Sequence, residues 1–251
     1  NGVTVRDGES KYQGGNLSFD SSKTFAMNGG AFEGGTSKDG GSISFSSKLN
    51  GTIAGGSISG GTATEKGGNI YNQGTLTVSG GTLSGGTATN GGSIYTSKIL
   101  NVEGGTISNG FTTEKGGNIY TTGNMTMTGG IITGGKAEAE KPTFEYGIGG
   151  NILAAGADKD HYANVTITGG TIEKGEANGR GGNIDAHTYV NLVLGKEDAT
   201  TNDLALITEG KSTGSSGASG GNIFVRGDST FTMYNGVTVR DGESKYQGGN
   251  L

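Results

Sequence analysis

The chain has 251 residues, with 18 basic and 23 acidic side chains for a net charge of −5, 55 glycines, one proline and no cysteine. The mild acidic excess without like-charge runs argues against nucleic acid as a partner, and the lack of cysteine removes disulfides and thiolate metal sites. Glycine falls in pairs rather than at every third position, which excludes collagen, and no apolar run approaches the roughly 18 residues of a helical membrane span.

Residues 1–17, NGVTVRDGESKYQGGNL, return letter for letter at 235–251, an offset of 234. Seventeen unbroken matches mean that the parent protein is a tandem array or that the sequence was cut so as to overlap itself. Between the copies, a tetrapeptide of two glycines, Asn or Ser, and Ile or Leu starts at 14, 40, 67, 91, 116, 149, 181, 220 and 248. Its eight intervals span the same 234 residues, so the long period contains eight short units, here coils 1 to 8, with coil 1 starting at Gly14.

Each coil reads as three short strands joined by glycine corners. The first follows the tetrapeptide. The second carries an inward apolar pair at period 2: Phe25 and Met27, Leu76 and Val78, Leu100 and Val102, Met125 and Met127, Val165 and Ile167, Leu192 and Leu194, Phe231 and Met233. Coil 2 departs, with Gly51 before Ile53. The third strand carries one apolar residue after a second glycine pair: Phe32, Ile58, Leu83, Ile107, Ile132 and Ile172. The few apolar side chains of one coil cannot offset the entropy of ordering its backbone, so coils must stack and bond to one another. These patterns predict an all-β right-handed parallel β-helix (β-solenoid), three strands per coil, about eight coils per 234-residue repeat. Residues 1–251 are expected to form a single continuous segment with uncapped ends.

The repeated GGNI, GGSI and GGNL resemble the GGA-I/L/V repeats of chlamydial polymorphic membrane proteins. More broadly they resemble the pectate-lyase-like β-helices of bacterial surface proteins and autotransporter passengers, and FAMN at 25–28 matches the companion FxxN motif. The resemblance implies extracellular display at the cell surface, adhesion or structural support.

Candidate sites follow from registers. Aspartates do not share a register across neighbouring coils, so no catalytic set is expected and the chain is read as a non-enzyme needing no cofactor. Extra residues at 136–148, 153–164 and 196–219 fall after different strands and are expected at three different corners. Asp158, Asp160 and His161 read as a solvated loop, and Asp185 with His187 lacks a third ligand, so no metal site is expected. Tyr71, Tyr95 and Tyr120 occupy the outward position after Ile on three consecutive coils. They are the candidate binding surface, for glycan or a neighbouring rod, unless they only stabilise the sheet. The polar residue of the tetrapeptide forms a column, Asn16, Ser42, Asn69, Ser93, Asn118, Asn151, Asn183, Asn222 and Asn250, expected to be structural.

The expected function is a structural repeat of a long extracellular β-solenoid fibre or surface appendage. It would continue covalently or end to end into identical repeats, with lateral self-association possible. An adhesin contacting glycan or a cell surface through the tyrosine row or the loops is the alternative, and a polysaccharide-acting enzyme the third reading.

Overall fold

The computed structural model describes residues 2–143, 145–201, 203–214 and 217–251. Among them every regular element is a strand, and every strand pairing is parallel. Three sheets run along the rod. The first contains the strand after each tetrapeptide, from Leu17–Phe19 to Ile223–Val225, eight in all. The second, of 15 strands, is bent at the second glycine pair and takes two segments from most coils, such as Thr75–Val78 and Thr82–Ser84. In coils 1 and 2 these segments run through the bend as single strands, Thr24–Glu33 and Asn50–Ser59. The third sheet is narrow, with eight strands from Thr36–Asp39 to Glu243–Ser244. The chain is thus a parallel β-helix, and the three-sheet coil is consistent with the right hand expected of parallel crossovers.

Register explains the core. Leu76, Leu100, Met125, Val165 and Leu192 lie opposite one another on successive coils, as do Leu83, Ile107 and Ile132, and all are fully buried. The narrow sheet turns small residues inward, Ser37, Ala63, Ala88, Thr112, Ala137, Ala177 and Ser212. They form a sheet of their own. Coil 2 keeps its core without an apolar residue at 51 because Leu49, buried in the preceding turn, leans into the gap. A β-carbon at Gly51 would lie 3.0 Å from Leu49 Cδ2.

The second glycine of each tetrapeptide is fixed by close approach. A β-carbon at Gly68, Gly92, Gly117, Gly150 or Gly182 would overlap the carbonyl oxygen of its counterpart on the next coil and the amide nitrogen of a narrow-sheet residue. At the same corner four successive N–H groups donate toward the next coil. Gly149, Gly150, Asn151 and Ile152 bond the carbonyls of Arg180, Gly181 and Asn183 at 2.8–3.1 Å, and the other junctions repeat the arrangement.

The stretch 196–219 is not one insertion. Ala205–Thr208 continues the bent sheet, with buried Ile207 opposite Ile172, and Lys211–Ser212 continues the narrow one, leaving loops at 195–204 and 213–219. This corrects the expectation of three separate corners. The 213–219 loop and the 138–147 loop both leave the narrow sheet just before a tetrapeptide, so they share one corner.

Candidate functional site on the outer face of the first sheet

Along the outer face of the first sheet, Ser18, Ser44, Tyr71, Tyr95, Tyr120, Leu153, Asp185 and Phe224 stand in unbroken register. The strands alternate inward Ile with these outward residues, so the row follows from period 2. The face is not open. Tyr71 is only 7% exposed, Tyr95 and Tyr120 are half-buried, and Leu153 and Asp185 are sealed. The tyrosine rings do not stack flat. Tyr71 and Tyr95 lie 5.7 Å apart tilted by 48°, and Tyr95 meets Tyr120 edge-on at 5.0 Å. Lys66 Nζ sits over the rings of Tyr71 and Tyr95, at 5.8 and 5.3 Å. Burial, then Tyr95, Glu145 and Glu114, push the Tyr120 hydroxyl well above the usual tyrosine range. The row thus stands outward as expected, but Tyr71 is nearly covered and Tyr95 and Tyr120 are partly so.

Replacing Tyr71, Tyr95 and Tyr120 together by alanine should lower stability in denaturant by at least ~2 kcal/mol, from two ring contacts and the lost burial. Unchanged stability with loss of binding to a glycan panel would restore the recognition role.

The loop at 138–147 straps the C-terminal part of this face. Glu145 Oε2 lies 3.0 Å from His187 Nε2, and Glu145 Oε1 accepts from Arg226 at 2.8 Å, so one side chain of coil 5 reaches coils 7 and 8. Asn178 fastens the loop base, accepting from the Ala139 amide at 3.0 Å and donating to the Ala139 carbonyl at 2.7 Å. Behind the strap, His187 Nδ1 stands 3.5 Å from Asp185 Oδ1, and the Arg180 guanidinium lies 4.8 Å from the Phe224 ring centre. Burial raises the Glu145 carboxyl, but the hydrogen bonds and charges of His187 and Arg226 outweigh it and hold it below the usual glutamate value.

His187 is almost buried, with Nε2 3.0 Å from Glu145 Oε2 and Nδ1 3.5 Å from Asp185 Oδ1. Asp185 is out of reach of solvent. Neither of its oxygens has a hydrogen-bond partner among the described residues. No group of three His, Asp or Glu side chains among the described residues is arranged to hold a metal ion. Asp158 and His161 bond each other at 2.9 Å on an exposed loop. The cluster's visible work is to pin the loop. Sequence spacing paired Asp185 with His187 but missed Glu145, 42 residues before His187, because nothing local says that a loop of coil 5 crosses two coils.

Burial pushes the Asp185 carboxyl well above the ordinary aspartate value, against the pull of His187, Arg180 and Arg226. The folded chain then keeps a proton that the unfolded chain releases. The stabilising contribution is full below the ordinary aspartate range and is lost as pH rises through the raised value. Asp185→Asn should thus raise the unfolding midpoint near neutral pH and leave it unchanged at about pH 3, as followed by thermal melts across that range.

The polar column is continuous in the same half of the rod. Asn118 Nδ2 donates to Asn151 Oδ1, Asn151 to Asn183 and Asn183 to Asn222, each at 2.7 Å, and Asn222 donates to Asn250 at 2.9 Å. Each of these amide oxygens also takes a glycine N–H, from Gly110, Gly135, Gly175, Gly210 and Gly242 in turn, at 2.8–2.9 Å. Asn16 and Asn69 instead accept from a glycine amide of the preceding coil, Gly8 and Gly61, and donate to a carbonyl of their own coil, Glu33 and Ser84, because Ser42 and Ser93 on the following coil are too short to extend the chain of amides.

No family model, curated protein or solved structure matches the chain. Its reading therefore rests on the repeat and on the geometry above.

Proposed function

We propose that the chain is a structural segment of a long extracellular β-solenoid fibre or surface appendage, repeated in tandem with a period of 234 residues. The observation that carries this is how the two copies of the 17-residue segment dock. In the first copy, the N–H groups of Gly14, Gly15, Asn16 and Leu17 donate forward, to the carbonyls of Asp39, Gly41 and Ser42, at 2.9–3.0 Å. In the second, the carbonyls of Gln247, Gly248, Gly249 and Asn250 accept from the preceding coil's Gly220, Gly221, Asn222 and Ile223, at 2.9–3.0 Å. Both copies keep the same internal bond, Gly8 N–H to Asn16 Oδ1 at 2.7 Å and Gly242 N–H to Asn250 Oδ1 at 2.9 Å. One sequence in one local conformation thus offers its two edges to two different coils. Laid over each other, the copies join coil 8 to coil 1 without a gap.

The resemblance of the tetrapeptides to the GGA-I/L/V repeats of chlamydial polymorphic membrane proteins and autotransporter passengers supports an extracellular, surface-displayed setting.

A chain lengthened by one further period, 18–251 appended after Leu251, should gain about 38 Å in rod length by small-angle scattering, eight coils at ~4.8 Å. A compact particle or an unchanged length would sink the tandem reading. For the display claim, antibody against the chain should label intact source cells, and label confined to lysed cells would contradict it.

A further inference from the structure

Three buried polar atoms meet behind the 138–147 loop without a hydrogen-bond partner among the described residues: Asp185 Oδ1, Asp185 Oδ2 and His187 Nδ1. Asp185 is sealed, and His187 is 6% exposed. Nδ1 stands 3.5 Å from Asp185 Oδ1 on one side of the ring, and Nε2 stands 3.0 Å from Glu145 Oε2 on the other. One imidazole thus lies between a buried carboxylate and the carboxylate that ties down the loop. The feet of the loop are fixed by other bonds, the Ala139 amide to Asn178 at 3.0 Å and the Gly147 amide to the Glu114 carbonyl at 2.7 Å. Glu145 fastens the span between them. On the first sheet Leu153 and Phe224 flank Asp185 in register and carry no charge, and Tyr120 lies beyond Leu153. Arg180 and Arg226 supply the positive charge that reaches Asp185.

With Asp185 ionised and the ring hydrogen on Nε2, the Asp185 oxygens and the Nδ1 lone pair would face each other as bare acceptors. One proton between them removes the conflict, whether it rests on the carboxyl or on Nδ1, and in either case Nε2 keeps a hydrogen to donate to Glu145. When that proton leaves to solvent, the ring holds one hydrogen for two carboxylates. Asp185 takes it. Its sealed oxygens have no other donor among the described residues, whereas Glu145 is half-exposed and keeps its bond from Arg226, so leaving Asp185 unpaired costs more. Nε2 then turns a lone pair toward Glu145, and the tie is lost. We infer that Asp185 is a positioning residue that sets the His187 tautomer, so that the loop is fastened while the Asp185–His187 pair holds its proton and released when the proton leaves. Burial keeps that proton in place above the ordinary aspartate range, so the loop is fastened on the acid side and freed as pH rises through the raised value. The switch uses no group outside residues 114–226, so it stands whether or not the 234-residue period repeats.

The chain has two histidines, so the ring nitrogens of His187 can be followed by nitrogen-15 NMR beside those of His161. Between about pH 4 and about pH 10, the His187 ring should pass from a hydrogen on Nε2 to a hydrogen on Nδ1 alone. Amide exchange at Glu145 and Tyr146, corrected for its intrinsic pH dependence, should quicken about tenfold over the same step. Asp185→Asn carries its amide hydrogens at every pH, so it should hold Nε2–H and slow exchange throughout. Glu145→Gln separates the two halves of the switch. Its amide can accept from Nε2–H or donate to the bare nitrogen, so the tautomer should still change while exchange stays slow. A wild-type ring that keeps one tautomer across the range would overturn the proposal, as would a tautomer change that persists in Asp185→Asn or an exchange step that persists in Glu145→Gln. If Asp185→Asn fails to fold, the wild-type titration and Glu145→Gln decide by themselves.

Discussion

Gly117→Val should abolish cooperative folding of the middle coils, a loss of more than about 4 kcal/mol. The new β-carbon would overlap the Gly150 carbonyl oxygen and the Lys136 amide nitrogen, both main-chain atoms that cannot turn away. Relief requires coils 5 and 6 to separate, which breaks the four-bond corner between them and the Asn118–Asn151 contact beside it. Gly29→Ala is the control. A β-carbon there meets nothing within 4 Å, so this glycine should change stability by less than ~0.5 kcal/mol in the same urea titration. Equal effects at the two sites would show that glycine content, not close approach, governs the fold.

Asn151→Leu should cost ~4 kcal/mol or more. The fully buried amide takes the Gly135 N–H at 2.9 Å and the Asn118 Nδ2 at 2.7 Å, and gives to the Glu173 carbonyl at 2.8 Å and Asn183 Oδ1 at 2.7 Å. Leucine matches the volume but leaves four buried groups with a lost partner, each worth about 1–3 kcal/mol. Asn151→Ser should lose roughly half as much, because serine already holds this place in coils 2 and 4 and keeps a hydroxyl at the corner. The pair separates polar satisfaction from packing, and a leucine variant as stable as wild type would rule out the column as a source of stability.

Periodic features were legible because they repeat eight times with the same physical cause. The glycine pairs mark main-chain contact, the Leu–Val and Met–Met pairs mark the core, and the Asn column marks the corner. Features that fall outside the repeated pattern were not. Leu49 fills the gap at Gly51 from outside the strand pattern, and Ala205–Thr208 hides inside a stretch whose flanking loops disguise its period. The tyrosine row was legible as one outward face, but not how far it is covered. Outward in a strand means away from the core, and Lys66 and neighbouring rings then cover what the strand exposes. Glu145 was invisible as a partner of His187 for the same reason: its reach across coils is set by the loop's path, not by local spacing.

The loops at 138–147, 155–162, 195–204 and 213–219 all belong to coils 5 to 7, while coils 1 to 4 are bare. In a rod of successive periods this asymmetry becomes a banding pattern, with decorated zones about 38 Å apart and smooth shaft between them. A molecule that recognises one band with millimolar affinity would meet the same surface at every interval. A bivalent or clustered binder whose span matches that spacing gains avidity of roughly a hundredfold or more without any stronger single contact. The spacing of the bands, rather than the chemistry of any one loop, then selects what such a fibre holds.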